Sequence, residues 1–244
     1  MPDELFVSTS GAMARLRQLE VVSNNLANAN TVGYRRDHTV FSAMIEAQIQ
    51  SGGEPARGAA ALSYVETAEV SIDTRPGNVI QTGSPLDVAI QGPGFFEVTG
   101  PEGPRYTRAG SFSVSSNRNL VTKQGLPVSG EGGPIEVGDR AISIVASGEV
   151  VDDLGQTLGR LKLVEIDPRD LEKEGANLLR MKDGGLAVPL QDVDLAERSI
   201  EGSNVQPVRA LADLMMIQRA FEASLQTLQA SDGATQSLLQ EISR

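Results

Sequence analysis

The chain has no cysteine and no tryptophan among its 244 residues, a single histidine, and an aromatic content of 4%. Without cysteine, disulfides and thiolate chemistry are excluded, whatever the redox compartment. His38 is the only histidine and no cluster of ligands gathers around it in sequence, so neither a metal centre nor a Ser-His triad can be argued for. So few aromatics speak against one large core and for small β modules with long helices, whose seams take aliphatic and small side chains. Basic residues gather only locally, as at Arg35-Arg36, and the formal charge is -11, so no face neutralises phosphates and nucleic acid is not expected as a partner. The same charge keeps copies of the chain apart before any assembly. No run approaches the ~20 apolar residues of a membrane span. The acidic start Met1-Pro-Asp-Glu-Leu5 lacks the apolar core of a secretory signal, which by itself implies a cytoplasmic protein.

What is present lies first at the two ends. Leu214, Ile217, Phe221, Ser224, Leu228, Ser231, Thr235, Leu238 and Ile242 recur at three- and four-residue steps, with no Pro and no Gly before Gly233. That is the heptad pattern of a helix lying along another helix. Leu5, Thr9, Ala12, Leu16, Leu19, Ser23 and Leu26 repeat it at the N-terminus. The fold class expected is therefore α+β, with long N- and C-terminal helices pairing as a coiled coil and a central antiparallel all-β domain. The first helix is expected over Asp3 to Asn30 and ends in Ser23, Asn24, Asn25, Asn28 and Asn30 before Gly33, a natural residue for the left-handed closing turn. Those amides read either as a self-capping terminus or as groups that bond neighbouring subunits, because Asn lowers helix propensity. The last helix opens at Ser203-Asn-Val-Gln-Pro207, with a capping side chain and a first-turn proline.

Between the ends, Val40, Phe41, Met44, Ile45 and Ile49 suit a short helix or an extended packing segment, and Ser51 to Ala61 reads as a Gly/Ala/Pro-rich loop. From Leu62 the period changes to two. Short strands are expected at Tyr64 to Val70, Leu86 to Ile90, Phe95 to Val98, Arg105 to Arg108, Ser111 to Val114, Leu120 to Thr122, Pro134 to Val137, Ile142 to Ala146, Glu149 to Asp152 and Leu158 to Ile166. Gln91-Gly-Pro-Gly94 predicts a hairpin joining Leu86 to Ile90 with Phe95 to Val98. Pro168 to Ala176 suits a helical turn. The expected division is 1–35 and 203–244 for the two halves of a helical core, 36–75 for a connecting segment, 76–185 for the β domain and 186–202 for a return linker.

Sites of chemistry are not legible. Gly92-Pro-Gly94 lacks the helix and Lys of a phosphate loop, Asp152-Asp153 reads as a solvated turn, and Met215-Met216 with Phe221 read as packing. The chain is expected to be no enzyme, with no catalytic, cofactor or metal residues and no cofactor or small-molecule substrate.

Leu19-Glu-Val-Val-Ser-Asn-Asn-Leu-Ala-Asn-Ala-Asn-Thr-Val-Gly-Tyr34 resembles the N-terminal signature of the bacterial flagellar rod and hook proteins. Thr82-Gly-Ser-Pro-Leu-Asp-Val-Ala-Ile-Gln-Gly-Pro-Gly-Phe-Phe96, Tyr106-Thr-Arg-Ala-Gly-Ser-Phe112, Glu201-Gly-Ser-Asn-Val205 and Ile217-Gln-Arg-Ala-Phe-Glu222 are similar to further stretches of the same family. Within it, the length and single β region resemble the proximal-rod type F. The distal-rod type G, usually longer with a Leu-Gly-x-Gly-Val segment, is the alternative. The resemblance implies a structural subunit of the basal-body rod, assembling helically with copies of itself and with other rod proteins into a hollow shaft that transmits torque and passes exported subunits. It also implies export by the flagellar type III apparatus without a cleaved signal, a rod crossing the periplasm, and contact with the surrounding envelope ring, which replaces the cytoplasmic expectation. Leu16, Leu19, Ser23, Asn24, Asn25, Leu26, Asn28, Asn30, Leu214, Ile217, Phe221, Leu228 and Leu238 are the candidates for intersubunit packing. A β-domain binding module on a coiled-coil stalk is the alternative of another class.

Overall fold

The computed structural model describes residues 2–45, 63–175, 177–191 and 193–242, with side chains over 11–39, 70–175, 177–191, 193–227 and a few positions beyond. Helix α1 spans Pro2–Ala27 and helix α2 spans Pro207–Ile242. Past α1, the Thr31 N–H donates to the Asn28 carbonyl at 3.1 Å, and Gly33 follows at a φ of 68°. A side chain at Gly33 would overlap the Arg108 carbonyl carbon and the Ala109 nitrogen, so both the left-handed turn and the close approach require glycine here. Before α2, the Ser203 hydroxyl accepts the Val205 N–H at 3.2 Å, and Pro207 occupies the first helical position.

The chain divides into two compact units. One holds residues 1–26, 37–71 and 207–244, that is, most of α1, the paired strands Asp37–Ile45 and Ser63–Ile72 (to residue 71), and α2. The other, the body, holds residues 27–36 and 72–206. Its largest sheet has six strands in the order Leu171–Gly175, Leu178–Met181, Gly103–Thr107, Phe95–Gly100, Leu163–Glu165, Val188–Pro189, all antiparallel. Alternation along these strands buries both faces. Phe96, Val98 and Leu163 join Leu120, Ile144, Val150, Leu161 and Leu195 in the larger core, and Phe95, Tyr106, Val164 and Leu179 form the smaller one. Each such side chain contributes roughly 1.5–3 kcal/mol on burial. Phe96 and Phe112 meet edge to face at 5.2 Å, so two of the few aromatics anchor the larger core.

Four expectations need correction. Among the described residues no coiled coil joins the terminal helices, and the architecture is a large β-rich body with two helices, the N-terminal one the shorter. A coiled-coil seam would be buried, yet Leu16 is 44% exposed and Leu214, Ile217 and Phe221 are only half-buried. A heptad pattern marks an apolar stripe without naming what covers it. Gln91-Gly-Pro-Gly94 does not make a hairpin: Val88–Ile90 pairs with Leu195–Glu197, and Phe95–Gly100 pairs with Gly103–Thr107 and Leu163–Glu165. Turn residues bend the chain, but here burial on both sides decides the pairing. Pro168–Asp170 is one turn of 3-10 helix and Leu171–Gly175 is strand. Asp152 is buried rather than solvated, accepting the Leu154 and Gln156 N–H groups at 3.0 and 2.8 Å and pairing with Arg140 at 2.9 Å. Those donors, the Gln156 N–H foremost, hold its carboxyl below the usual range. The Ser51 to Ala61 loop lies outside the described residues.

Candidate functional site, a buried charged junction

In the body, the segment that follows α1 is laced to the segment that precedes α2. The Gly33 N–H donates to the Glu201 carbonyl at 2.7 Å, and the Asn204 N–H to the Tyr34 carbonyl at 3.3 Å. The Asn204 side chain accepts the Arg36 N–H at 2.7 Å and donates to the Asp73 and Arg75 carbonyls, both at 2.9 Å. Lys173 lies 3.9 Å from the Tyr34 ring centre and donates to the Arg35 carbonyl at 2.6 Å, while Asn177 donates to the Val32 carbonyl. Gly77 packs so close to Gly202 that a side chain there would run into the Gly202 carbonyl. The backbone groups that α1 leaves unpaired beyond its end are thus satisfied by residues from three other parts of the chain.

At the centre sit three charged side chains. Glu201 is 1% exposed, Arg35 2% and Arg108 4%. The Glu201 carboxylate lies 2.6 Å from Arg35 Nη1 and 3.4 Å from Arg108 Nη1, and it accepts the Gly77 N–H at 2.8 Å. Arg35 also donates to the Arg75 carbonyl and Arg108 to the Gly92 carbonyl, each at 2.7 Å, and the Arg108 guanidinium stands 5.3 Å from the Phe95 ring centre. Arg35 Nε, Arg35 Nη2 and Arg108 Nε have no hydrogen-bond partner. Burial lowers the Arg108 pKa to about 10, with Glu201 opposing the shift and Arg35 adding to it. At the rim, Arg75 and Arg36 bond the Asp73 carboxylate, each at 2.7 Å, and Arg75 foremost holds that carboxyl well below the usual range.

This arrangement ties three stretches of the chain together. Among the described residues no group of three or more potential ligands could bind a metal, and no helix is long and apolar enough to cross a membrane. A groove of about 440 Å³ at one edge of the six-stranded sheet is lined by charges that pair within the chain, as Arg180 does with Glu172 and Arg105 with Glu174.

The residues expected at intersubunit contacts are placed variously. In α1, Leu16, Ser23 and Asn24 are exposed, Leu19 and Leu26 half-buried. Asn25 is buried and exchanges two hydrogen bonds with the Asp37 backbone, at 2.7 and 2.8 Å. The Asn28 side chain accepts the Thr31 hydroxyl at 3.1 Å, and Asn30 is exposed. In α2, Leu214, Ile217 and Phe221 share one half-buried face, and the side chains of Leu228 and Leu238 lie outside those described, as do those of Leu5, Thr9, Ser231 and Thr235. His38 is exposed. The triad itself was not foreseen, although the sequence carries signs of it: Arg108 and Glu201 stand near a glycine within a motif stretch, and Arg35 directly follows the stretch that ends in Gly33-Tyr34.

Three family models match in order along the chain: flagella basal body rod protein over residues 5–35, flagellar hook protein FlgE/F/G D1 domain over 89–152, and flagellar basal body rod FlgEFG protein C-terminal over 196–241. The chain is 34% identical over 228 residues to the flagellar basal-body rod protein FlgF of Caulobacter vibrioides, covering 91% of each. The chain belongs to the flagellar basal-body rod protein family. Among other rod proteins, it is 34% identical over 254 residues to FlgF of Mesorhizobium japonicum, covering 98% of each, and 31% identical over 250 residues to FlgG of Agrobacterium fabrum, covering 93% of this chain and 95% of that one. As a rod protein it is a structural subunit of the flagellar basal body, not an enzyme. Arg35 and Glu201 each lie inside a matched rod segment, and Arg108 inside the matched D1 domain.

Proposed function

We propose that this chain is an FlgF-type subunit of the proximal rod, assembling helically with copies of itself and with other rod proteins into a hollow shaft. The observation that carries this reading is the apolar surface left open on the helices: Met13 and Leu16 on α1, and Val208, Leu211, Met215, Met216 and Leu225 on α2. Val208, Leu211 and Met215 follow three- and four-residue spacing and form one outward stripe, the form in which a helix presents itself to a partner. Neighbouring subunits cover these positions, with Leu16, Leu19, Asn24, Asn30, Leu214, Ile217 and Phe221 at or beside the contacts. On this reading the shaft crosses the periplasm, transmits torque and passes exported subunits. The chain reaches it through the flagellar type III apparatus without a cleaved signal, and its outward surface meets the surrounding envelope ring.

A distal-rod, FlgG-type role is the second reading, favoured by FlgG relatives of nearly equal similarity and coverage. Met215→Asp puts a charge on a position that is 53% exposed, so the chain stays folded but is expected to be lost from isolated basal bodies. Normal incorporation of the variant would sink the proposed helix contacts. Locating a labelled chain along isolated rods separates the proximal from the distal reading.

A further inference from the structure

The Arg35, Arg108 and Glu201 side chains come from positions 166 and 93 residues apart, Glu201 lying that far beyond Arg35 and Arg108 respectively. They bury two cations against one anion. No other carboxylate pairs with either arginine among the described residues, and three of their nitrogens are left without acceptors. Breaking a buried ion pair costs more than making it gains, because the remaining charge is stranded away from water. A second carboxylate would be needed to balance the cluster, so Glu201 carries both arginines alone.

We propose that the Arg35–Glu201–Arg108 cluster is a charge latch: the Glu201 carboxylate closes the segment that follows α1 onto the segment that precedes α2, and the junction opens as a unit, separately from the β core, when that charge is lost. The bonds that leave with it are those of Gly33 to the Glu201 carbonyl, Gly77 to the Glu201 carboxylate, Gly202 to the Asn78 carbonyl and Asn204 to its four partners. The triad touches the smaller core at one point, where Arg108 stands over the Phe95 ring, and the larger core around Phe96 is built from apolar side chains of other strands, so that core is expected to keep its packing when the junction opens. Local opening of this kind is how a folded protein releases one cooperative segment while the rest stays closed. The latch ties early, middle and late parts of the chain together, so the roots of both helices are set only after all three have met. This inference does not depend on the position of the subunit in the rod.

Residue-resolved hydrogen exchange on the full chain tests it. In Glu201→Gln, which keeps an acceptor for the Gly77 N–H but removes the charge, the Gly33 and Gly202 amides are expected to exchange about a hundredfold faster, while Phe95–Gly100 and Gly103–Thr107 keep their protection. Adding Arg35→Met to Glu201→Gln removes one stranded cation and is expected to restore about tenfold of that loss. A role in packing or hydrogen bonding alone predicts the opposite, since the double variant lacks more contacts than the single one. Unchanged exchange in Glu201→Gln, or a double variant no better protected than the single, would overturn the latch. If Glu201→Gln does not fold, the charge-free Arg35→Met, Arg108→Met, Glu201→Leu variant decides. Its folding with Phe95–Gly100 protected and the Gly33 amide exchanging faster than in the unsubstituted chain supports the latch, whereas a Gly33 amide as protected as in the unsubstituted chain, or loss of protection at Phe95–Gly100 together with Gly33, refutes it.

Discussion

At the junction three charged side chains, Arg35, Arg108 and Glu201, are withdrawn from water, whereas on α2 five apolar ones, Val208, Leu211, Met215, Met216 and Leu225, stand in it. Both placements cost free energy in an isolated chain. At the junction the cost is offset in part inside the body, through an ion pair at 2.6 Å and a set of backbone hydrogen bonds. On α2 nothing among the described residues meets it. The difference teaches where the molecule is finished and where it is not: the body closes on itself, and under the proposed function the exposed stripe of the helix is what assembly completes.

That contrast predicts which changes act on stability and which on assembly. The largest effect is expected in the body core, where Phe96→Ala removes a side chain that is fully buried and stacked edge to face on Phe112. A loss of about 3–5 kcal/mol is expected in denaturant unfolding of the purified chain. A loss below about 1 kcal/mol would mean that the body is not the part that carries stability.

A middle-sized effect is expected at the rim of the junction. Asp73 accepts from Arg36 and Arg75, and its folded-state pKa lies below the unfolded value of 3.8. A carboxylate so depressed contributes stability that is fully present above the unfolded pKa and is lost as pH falls below it. Asp73→Asn is expected to cost about 1–2 kcal/mol at pH 7, and the gap from the unsubstituted chain should narrow as pH is lowered from about 5 towards 2. A gap that does not change with pH would remove the charge from the explanation.

The smallest effect on stability is expected where assembly suffers most. Met215→Asp should shift unfolding by no more than about 0.5 kcal/mol, although it is the variant proposed to be lost from basal bodies. A large destabilisation would show that the α2 face is already covered within the chain, and the comparison between the two regions would fail.

Much of the local structure could be read from residues. Asn28, Thr31 and Gly33 announced the end of α1, Ser203 and Pro207 the start of α2, and the period of two located strands such as Leu120–Thr122 and Glu149–Asp152. The ordered motifs carried the family. What could not be read was partnership. The heptad of α2 is an apolar stripe whatever covers it, and the turn at Gln91 to Gly94 is a turn whichever strands pair around it. Asp152 looks like any acidic turn residue until its carboxylate is seen collecting two backbone N–H groups and an arginine. The triad was hidden for the same reason: three of the chain's 53 charged residues, 21 basic and 32 acidic, meet across the fold, and no local pattern says which three.

The central claim, a closed body with a helix face left for neighbours, is tested most directly by comparing hydrogen exchange of the full chain alone with that of the same chain in assembled rods. Amides of Phe95–Gly100 and Gly103–Thr107 should be equally protected in both states, while those of α2 around Val208 to Leu225 should gain protection on assembly. Equal protection of α2 in the free and assembled chain would contradict the account.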